Sequence, residues 1–306
     1  MGQINNNCLE TRFNKLVFKN PVLTASGTFG FGREYETYYP LEKLGGLCTK
    51  GLTLEPRPGN TGIRMWETPA GIMNSIGLEN PGVDAFIETE WPHLKPIDTV
   101  TVVNVGGKDE ETYLGAIEKL NAIPIQLIEL NISCPNVKAG GMAYGIKPEM
   151  AQEITEKVVG VSKHPVMVKL SPNVSDIAAV AASCEKGGAC GISLINTLQA
   201  MAVDYKKKKI VFDNTYAGLS GPAVKPVALR MTHQVVQAVN IPVMAMGGIS
   251  TWEDALEFIM VGATCVQVGT MNFIDPMIAI KIVEGLRTYC QAEGIANIDE
   301  VRGILK

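Results

Sequence analysis

The side chains able to do chemistry in this 306-residue chain stand where apolar runs end. Those ends carry Ser26 and Gly27, Lys50 and Gly51, Asn104, Asn131 with Cys134, Lys169, Asn196 and Thr197, Gly247 and Gly248, and Gly269 and Thr270. A lone asparagine usually serves a turn or a cap. Three at corresponding run ends supply planar amides with donors and acceptors, which suits a flat, amide-rich ligand. The glycines at 247, 248 and 269 let the backbone come close to a ligand and turn its N–H groups onto phosphate oxygens. Lysine at the end of an apolar run is rarely structural unless paired, so Lys50 and Lys169 each ask for a partner.

Cys134 is the candidate base or nucleophile. An isolated cysteine is most often a small buried hydrophobe, but this one lies in the polar segment NISCPN at 131–136. The glycine-rich stretch 138–145 that follows reads as a lid excluding water. A thiol ionises near pH ~8.5 when unperturbed, so it serves as a base under mildly alkaline conditions. The three histidines, His93, His164 and His233, fall before or within outer elements, away from the run ends. Cys184 and Cys190 are the closest thiol pair and lack CxxC spacing, so no metal site is expected. No iron–sulfur cysteine run is present either. The glycines of 27–32 are spaced GxxGxG, not as the GxGxxG dinucleotide fingerprint.

Eight runs must position these groups: 21–27, 45–51, 99–107, 127–135, 165–172, 191–197, 242–248 and 263–270. Continuous apolar runs of this length are strands buried on both faces. Helical patterns separate them, clearest at 109–120, 148–161, 176–186, 224–239 and 251–260, with Ser175 and Ser250 as N-caps. Eight alternating units predict an α/β fold, a (β/α)8 TIM barrel forming a single domain over 1–306. Insertions follow strands 2, 4 and 6, at 52–98, 136–147 and 198–221. All three lie on the face where such barrels place their active sites. Residues 1–20 read as a hairpin plugging the opposite end. Alternation along strand 4 turns Glu129, Asn131 and Ser133 inward and Ile128, Leu130 and Ile132 outward. Glu129 and Lys169, on neighbouring strands, are therefore expected to form a buried ion pair. Lys206–Lys209 reads as a solvated turn.

Composition narrows the class. Hydrophobic residues make up 46% of the chain, enough for a packed core. Charged residues are 19%, below the ~25% usual for soluble domains. A formal charge of −4 gives no reason to expect nucleic acid or an anionic membrane as partner. The uncharged windows 231–252 and 258–274 are broken by Gln234, Pro242, Gln267 and Asn272, which fits buried core rather than a span. The first ten residues are polar, without the apolar stretch of a signal peptide. Seven cysteines, an odd count, then fit free thiols in a reducing cytoplasm.

From about residue 16 to residue 275 the sequence resembles the dihydroorotate dehydrogenase family. The motifs are TLEPR at 53–57, NSIGL at 74–78, NISCPN at 131–136 with Val137 and Lys138, KLSPN at 169–173, INT at 195–197, GLSGPA at 218–223 and the late glycines. The 131–145 segment is similar to class 1B, whose catalytic subunit works with an electron-transfer subunit. Class 2 relatives carry a serine base and an N-terminal membrane-binding extension, and neither is expected here. The resemblance implies one FMN per chain, held by Ser26, Lys50, Gly51, Asn104, Asn131, Lys169, Ile195, Gly221, Gly247, Gly248, Gly269 and Thr270. Gly51 departs from the residue expected after the lysine in many relatives. Substrate would meet Lys50, Asn74, Ser75, Ile76, Gly77, Leu78, Asn131, Asn136, Asn196 and Thr197. Cys134 would take the C5 proton of (S)-dihydroorotate while hydride leaves C6 for the flavin. A partner subunit with FAD and an iron–sulfur cluster would pass electrons to NAD, in a heterotetramer built on a homodimer core. The sparse charge fits such contact, and fits a homodimer equally.

Three other readings stay open on the residues alone. A fumarate-dependent class 1A homodimer would turn over without a second subunit. A uracil-reducing dihydropyrimidine dehydrogenase would respond to uracil rather than orotate. A phosphate-binding barrel without redox function would be colourless.

Overall fold

The computed structural model describes residues 7–133 and 144–305. Eight parallel strands close into a barrel in chain order. They are β1 (Val22–Thr24), β2 (Gly46–Cys48), β3 (Val100–Val105), β4 (Leu127–Asn131), β5 (Val166–Lys169), β6 (Gly191–Leu194), β7 (Val243–Met246) and β8 (Cys265–Val268). Closure comes where β8 pairs with β1, Val266 opposite Val22 and Val268 opposite Thr24. Every residue of β4, β5, β6, β7 and β8 is buried, as expected of strands covered by helices outside and side chains inside.

Helices follow the later strands: α1 (Glu110–Leu120), α2 (Pro148–Val161), α3 (Ile177–Lys186), α4 (Lys225–Ala238), α5 (Trp252–Met260) and α6 (Ile278–Glu293). Their caps sit one residue beyond the serines that the sequence suggests. Asp176, not Ser175, caps α3 and accepts from the Ala179 N–H at 3.0 Å. A carboxylate is favoured there by the positive end of the helix dipole. Thr251, not Ser250, caps α5, and Asp254 returns a bond from the Thr251 N–H at 3.0 Å. The Ser250 hydroxyl is already committed to the Gly248 carbonyl at 3.2 Å.

The N-terminal hairpin pairs Thr11–Phe13 with Leu16–Phe18 and plugs the barrel floor. Phe13 and Phe18 are fully buried against Leu23, Cys48, Val102, Leu127, Met167, Met244 and Cys265. β6 makes room for this plug at Gly191, where a Cβ would fall 2.3 Å from Phe13 Cζ and 3.0 Å from the Pro242 carbonyl oxygen. Overpacking of this kind costs about 1–3 kcal/mol. Gly191→Ala should therefore lower the unfolding free energy by that amount, read from its urea midpoint, with the active-site spectrum unchanged. An unshifted midpoint would show that the plug is loosely seated.

At the other end, the insertions after β2 and β6 combine. Strands Leu198–Ala200, Ala217–Ser220, Gly71–Asn74 and Met65–Thr68 form a four-stranded antiparallel sheet in that order. The third insertion falls largely outside the described residues. The Lys206–Lys209 run begins in the exposed turn between Val203–Asp204 and Lys209–Ile210.

Candidate active site

A cavity of about 340 Å³ opens at the C-terminal end of the barrel, under that sheet. This is within the range of ligand sites. Each barrel strand ends at its wall. Ser26, Lys50, Gly51, Asn104, Asn131 and Lys169 come from the first five strands and the turns after them. Ile195, Asn196, Thr197, Gly247, Gly248, Gly269 and Thr270 come from the last three. The inserted segments add Asn74, Ile76, Gly77, Leu78 and Gly221. Ser75 is not on the wall. It is buried behind it, where its hydroxyl accepts from Asn60 Nδ2 at 3.1 Å and Asn214 Nδ2 at 3.2 Å. Alternation in an extended segment puts Asn74 and Ile76 on one side and Ser75 on the other. Cys134 and Asn136 lie outside the described residues, as does most of the 138–145 stretch expected to act as a lid.

One end of the cavity is made of backbone. Gly247 and Gly248 adopt φ of +127° and +75°, which L side chains rarely occupy. A Cβ on Gly248 would come within 2.5 Å of the Lys225 nitrogen. Next to it, Gly221 leads through the turn Pro222–Val224 into α4, and the Ser220 and Thr270 hydroxyls bond at 2.9 Å. Close-approach glycines beside a helix N-terminus and hydroxyls suit a phosphate.

The opposite end is built of amides and ammonium groups above a buried carboxylate. Lys169 Nζ stands 3.5 Å from Glu129 Oε2, with the lysine side chain 6% exposed and the glutamate fully buried. The ion pair expected from strand alternation is thus present. Glu129 Oε2 also accepts from Asn104 Nδ2 at 2.5 Å and Cys48 Sγ at 3.3 Å, and Oε1 accepts from Gln267 Nε2 at 3.0 Å. Burial acts to raise the Glu129 carboxyl. The Lys169 ammonium and the bonds from Asn104 and Cys48 outweigh it, holding the carboxyl below its ordinary value. Cys48 feels the reverse: burial and the Glu129 charge push its thiol well above the ordinary value, so it remains a neutral donor.

Several wall residues escape a reading of strand ends. Met65 and Ile72 come from the outer sheet, and Met271 and Phe273 from the turn Thr270–Phe273. The spacing 270, 271, 273 after a strand-ending glycine was the available signal for the last two. No local signal brings Met65 and Ile72 to the wall, because their strands pair through Ala217–Ser220, far along the chain.

Among the described residues, no group of three or more His, Cys, Asp or Glu could hold a metal ion. None of their helices is long and apolar enough to cross a membrane.

A family model described as dihydroorotate dehydrogenase matches residues 8–289. Three relatives are named dihydroorotate dehydrogenase B (NAD(+)), catalytic subunit. The protein from Petrotoga mobilis is 54% identical over 94% of this chain and 96% of its own length. That from Thermoanaerobacter pseudethanolicus is 49% identical over 97% and 99%. That from Parabacteroides distasonis is 48% identical over 97% and 98%.

Proposed function

The chain belongs to the dihydroorotate dehydrogenase family, and we propose that it is the catalytic subunit of an NAD-linked enzyme oxidising (S)-dihydroorotate to orotate in de novo pyrimidine (UMP) synthesis. One observation carries this reading: Lys50, Lys169 and the amides of Asn104, Asn131 and Asn196 share a single cavity with a glycine-built phosphate cradle.

FMN fits that cavity. Its phosphate matches the cradle at Gly221, Gly247, Gly248, Gly269 and Thr270, where a Cβ at 248 has no room. Ser26, Lys50, Gly51, Asn104, Asn131, Lys169 and Ile195 would hold the remainder. When bound, FMN supplies a two-electron acceptor for the hydride from C6 of dihydroorotate.

The chain's own residues do the rest. Lys50 offers an ammonium to the substrate carboxylate, and Asn74, Ile76, Gly77, Leu78, Asn131, Asn136, Asn196 and Thr197 surround the pyrimidine. Ser75 supports that set from behind. Cys134, as thiolate, removes the C5 proton, and the bond pair left at C5 completes the C5–C6 double bond as hydride departs. Lys169 brings positive charge to the amide end, where it offsets negative charge acquired on reduction.

Electrons then leave through a partner. The relatives' designation as catalytic subunits supports a second subunit; the family resemblance implies that it carries FAD and an iron–sulfur cluster and joins a homodimer core in a cytoplasmic heterotetramer. Purification from the native host tests this reading. The expected product is a yellow-brown complex containing FMN in this chain and a cluster-bearing subunit, active with NAD. A chain that turns over alone with fumarate, and gains nothing from a partner, would overturn the NAD linkage. A colourless chain indifferent to orotate would overturn the flavin reading.

A further inference from the structure

Beneath the cavity wall a hydrogen-bonded chain runs across the barrel, anchored at one end by Glu129. Asn104 Nδ2 donates to Glu129 Oε2 at 2.5 Å. The Asn104 oxygen then accepts from Asn131 Nδ2 at 3.3 Å. The Asn131 oxygen accepts from the Ser133 hydroxyl at 2.8 Å and the Ser133 N–H at 3.2 Å. The Ser133 oxygen accepts from Asn196 Nδ2 at 2.9 Å, and the Asn196 oxygen accepts from the Thr197 N–H at 2.7 Å. Every bond in this series points the same way, toward Glu129.

The direction has a physical cause. Either end of an asparagine amide fits the same space, and the hydrogen-bond network decides which end is oxygen. An ionised carboxylate only accepts. It therefore forces Asn104 to present nitrogen, which leaves oxygen for Asn131, which must present nitrogen in turn. The Ser133 hydroxyl then donates to Asn131 and accepts from Asn196. Asn104, Asn131 and Asn196 line the cavity, whereas Glu129 and Ser133 are fully buried.

We propose that Glu129 is a positioning residue that sets the amide orientation of Asn104 and, together with the backbone N–H groups of Ser133 and Thr197, that of Asn131 and Asn196, and with it the donor and acceptor pattern met by the pyrimidine edges of flavin and substrate. Resting on the flavin reading above, this adds a role for a side chain that does not touch the ligand. The ionised state of Glu129, held by Lys169, gives the chain its polarity. Glutamine at 129 would remove that polarity, because its amide can donate to Asn104 as readily as accept from it.

The test uses the FMN-loaded holoenzyme. Glu129→Gln should keep its fold, yet bind orotate about tenfold more weakly, read from the orotate-induced change in the flavin spectrum. The flavin midpoint potential should move positive, because a negative charge beside Lys169 is gone. Glu129→Asp keeps an acceptor-only group and should recover part of the orotate response. Ser133→Ala cuts the chain between Asn131 and Asn196 with Glu129 in place. It should weaken orotate while leaving the potential unchanged, and Glu129→Asp carries the test of Glu129 if Glu129→Gln does not fold. Wild-type orotate affinity in the folded variants overturns this proposal and leaves the flavin reading intact. A wild-type chain that holds no flavin overturns both.

Discussion

Replacing Cys134 with alanine is expected to slow dihydroorotate oxidation by about 10²–10⁴-fold while FMN stays bound, the loss typical of removing a positioned base. The thiol follows Ser133, which is buried and bonded on both sides, to Asn131 and to Asn196. Ser133 is thereby held against two amides of the cavity wall, and the proposed base is the next residue in the chain. The proposed flavin contacts come from other residues, so the cofactor should survive the substitution. Rapid mixing of the oxidised holoenzyme with dihydroorotate isolates the step. Near-wild-type flavin reduction in Cys134→Ala would remove the base assignment. Cys134→Ser should regain rate as pH rises, because a hydroxyl gives up its proton far less readily than a thiol. A flat pH profile for the serine variant would point to another group.

The barrel was legible because its signal is local. Strands buried on both faces must be apolar throughout, and the runs ending at Lys50, Asn104, Asn131 and Lys169 announce themselves over a few residues. Strand alternation, equally local, was enough to bring Glu129 to Lys169. The roof sheet carries no such signal. Met65, Trp66 and Glu67 are all exposed, so no alternation marks their strand. Its pairing partner, Gly71–Asn74, is held in turn by Ala217–Ser220, more than a hundred positions away. The caps slipped from Ser175 and Ser250 to Asp176 and Thr251 because type alone does not say which neighbour's oxygen is free. Helix α6 had a usable mark at its end, Gly294 with φ of +70°, the residue type that closes helices in the left-handed conformation. The amide polarity imposed by Glu129 could not be read at all. It depends on which atom of each asparagine faces which neighbour, and that exists only once β3, β4 and the turn after β6 are side by side.

That polarity depends on Glu129 staying charged, which makes Lys169→Met the sharpest perturbation of stability. In the wild type the carboxyl sits below its ordinary value of 4.5. A depressed carboxyl contributes stability that is complete above the unfolded value and is lost as pH falls through the folded one. Methionine keeps much of the lysine's volume but removes the cation. Asn104, Gln267 and Cys48 still donate to Glu129, yet burial then acts without an opposing charge and the carboxyl should rise above its unfolded value. The sign reverses. A raised carboxyl destabilises increasingly as pH climbs past the unfolded value, since a buried group must then ionise or hold its proton against the solvent. Breaking one side of a buried pair costs about 3–5 kcal/mol. Lys169→Met should therefore unfold at much lower urea near neutral pH, and the gap from wild type should narrow as pH approaches the ordinary carboxyl value of 4.5. Adding Glu129→Gln removes the stranded carboxyl and should recover most of the loss. The single and double variants alike lack the Lys169 ammonium beside the flavin, so a change in cofactor binding does not mimic that recovery. A gap independent of pH, together with additive single and double variants, would mean that the pair contributes only packing.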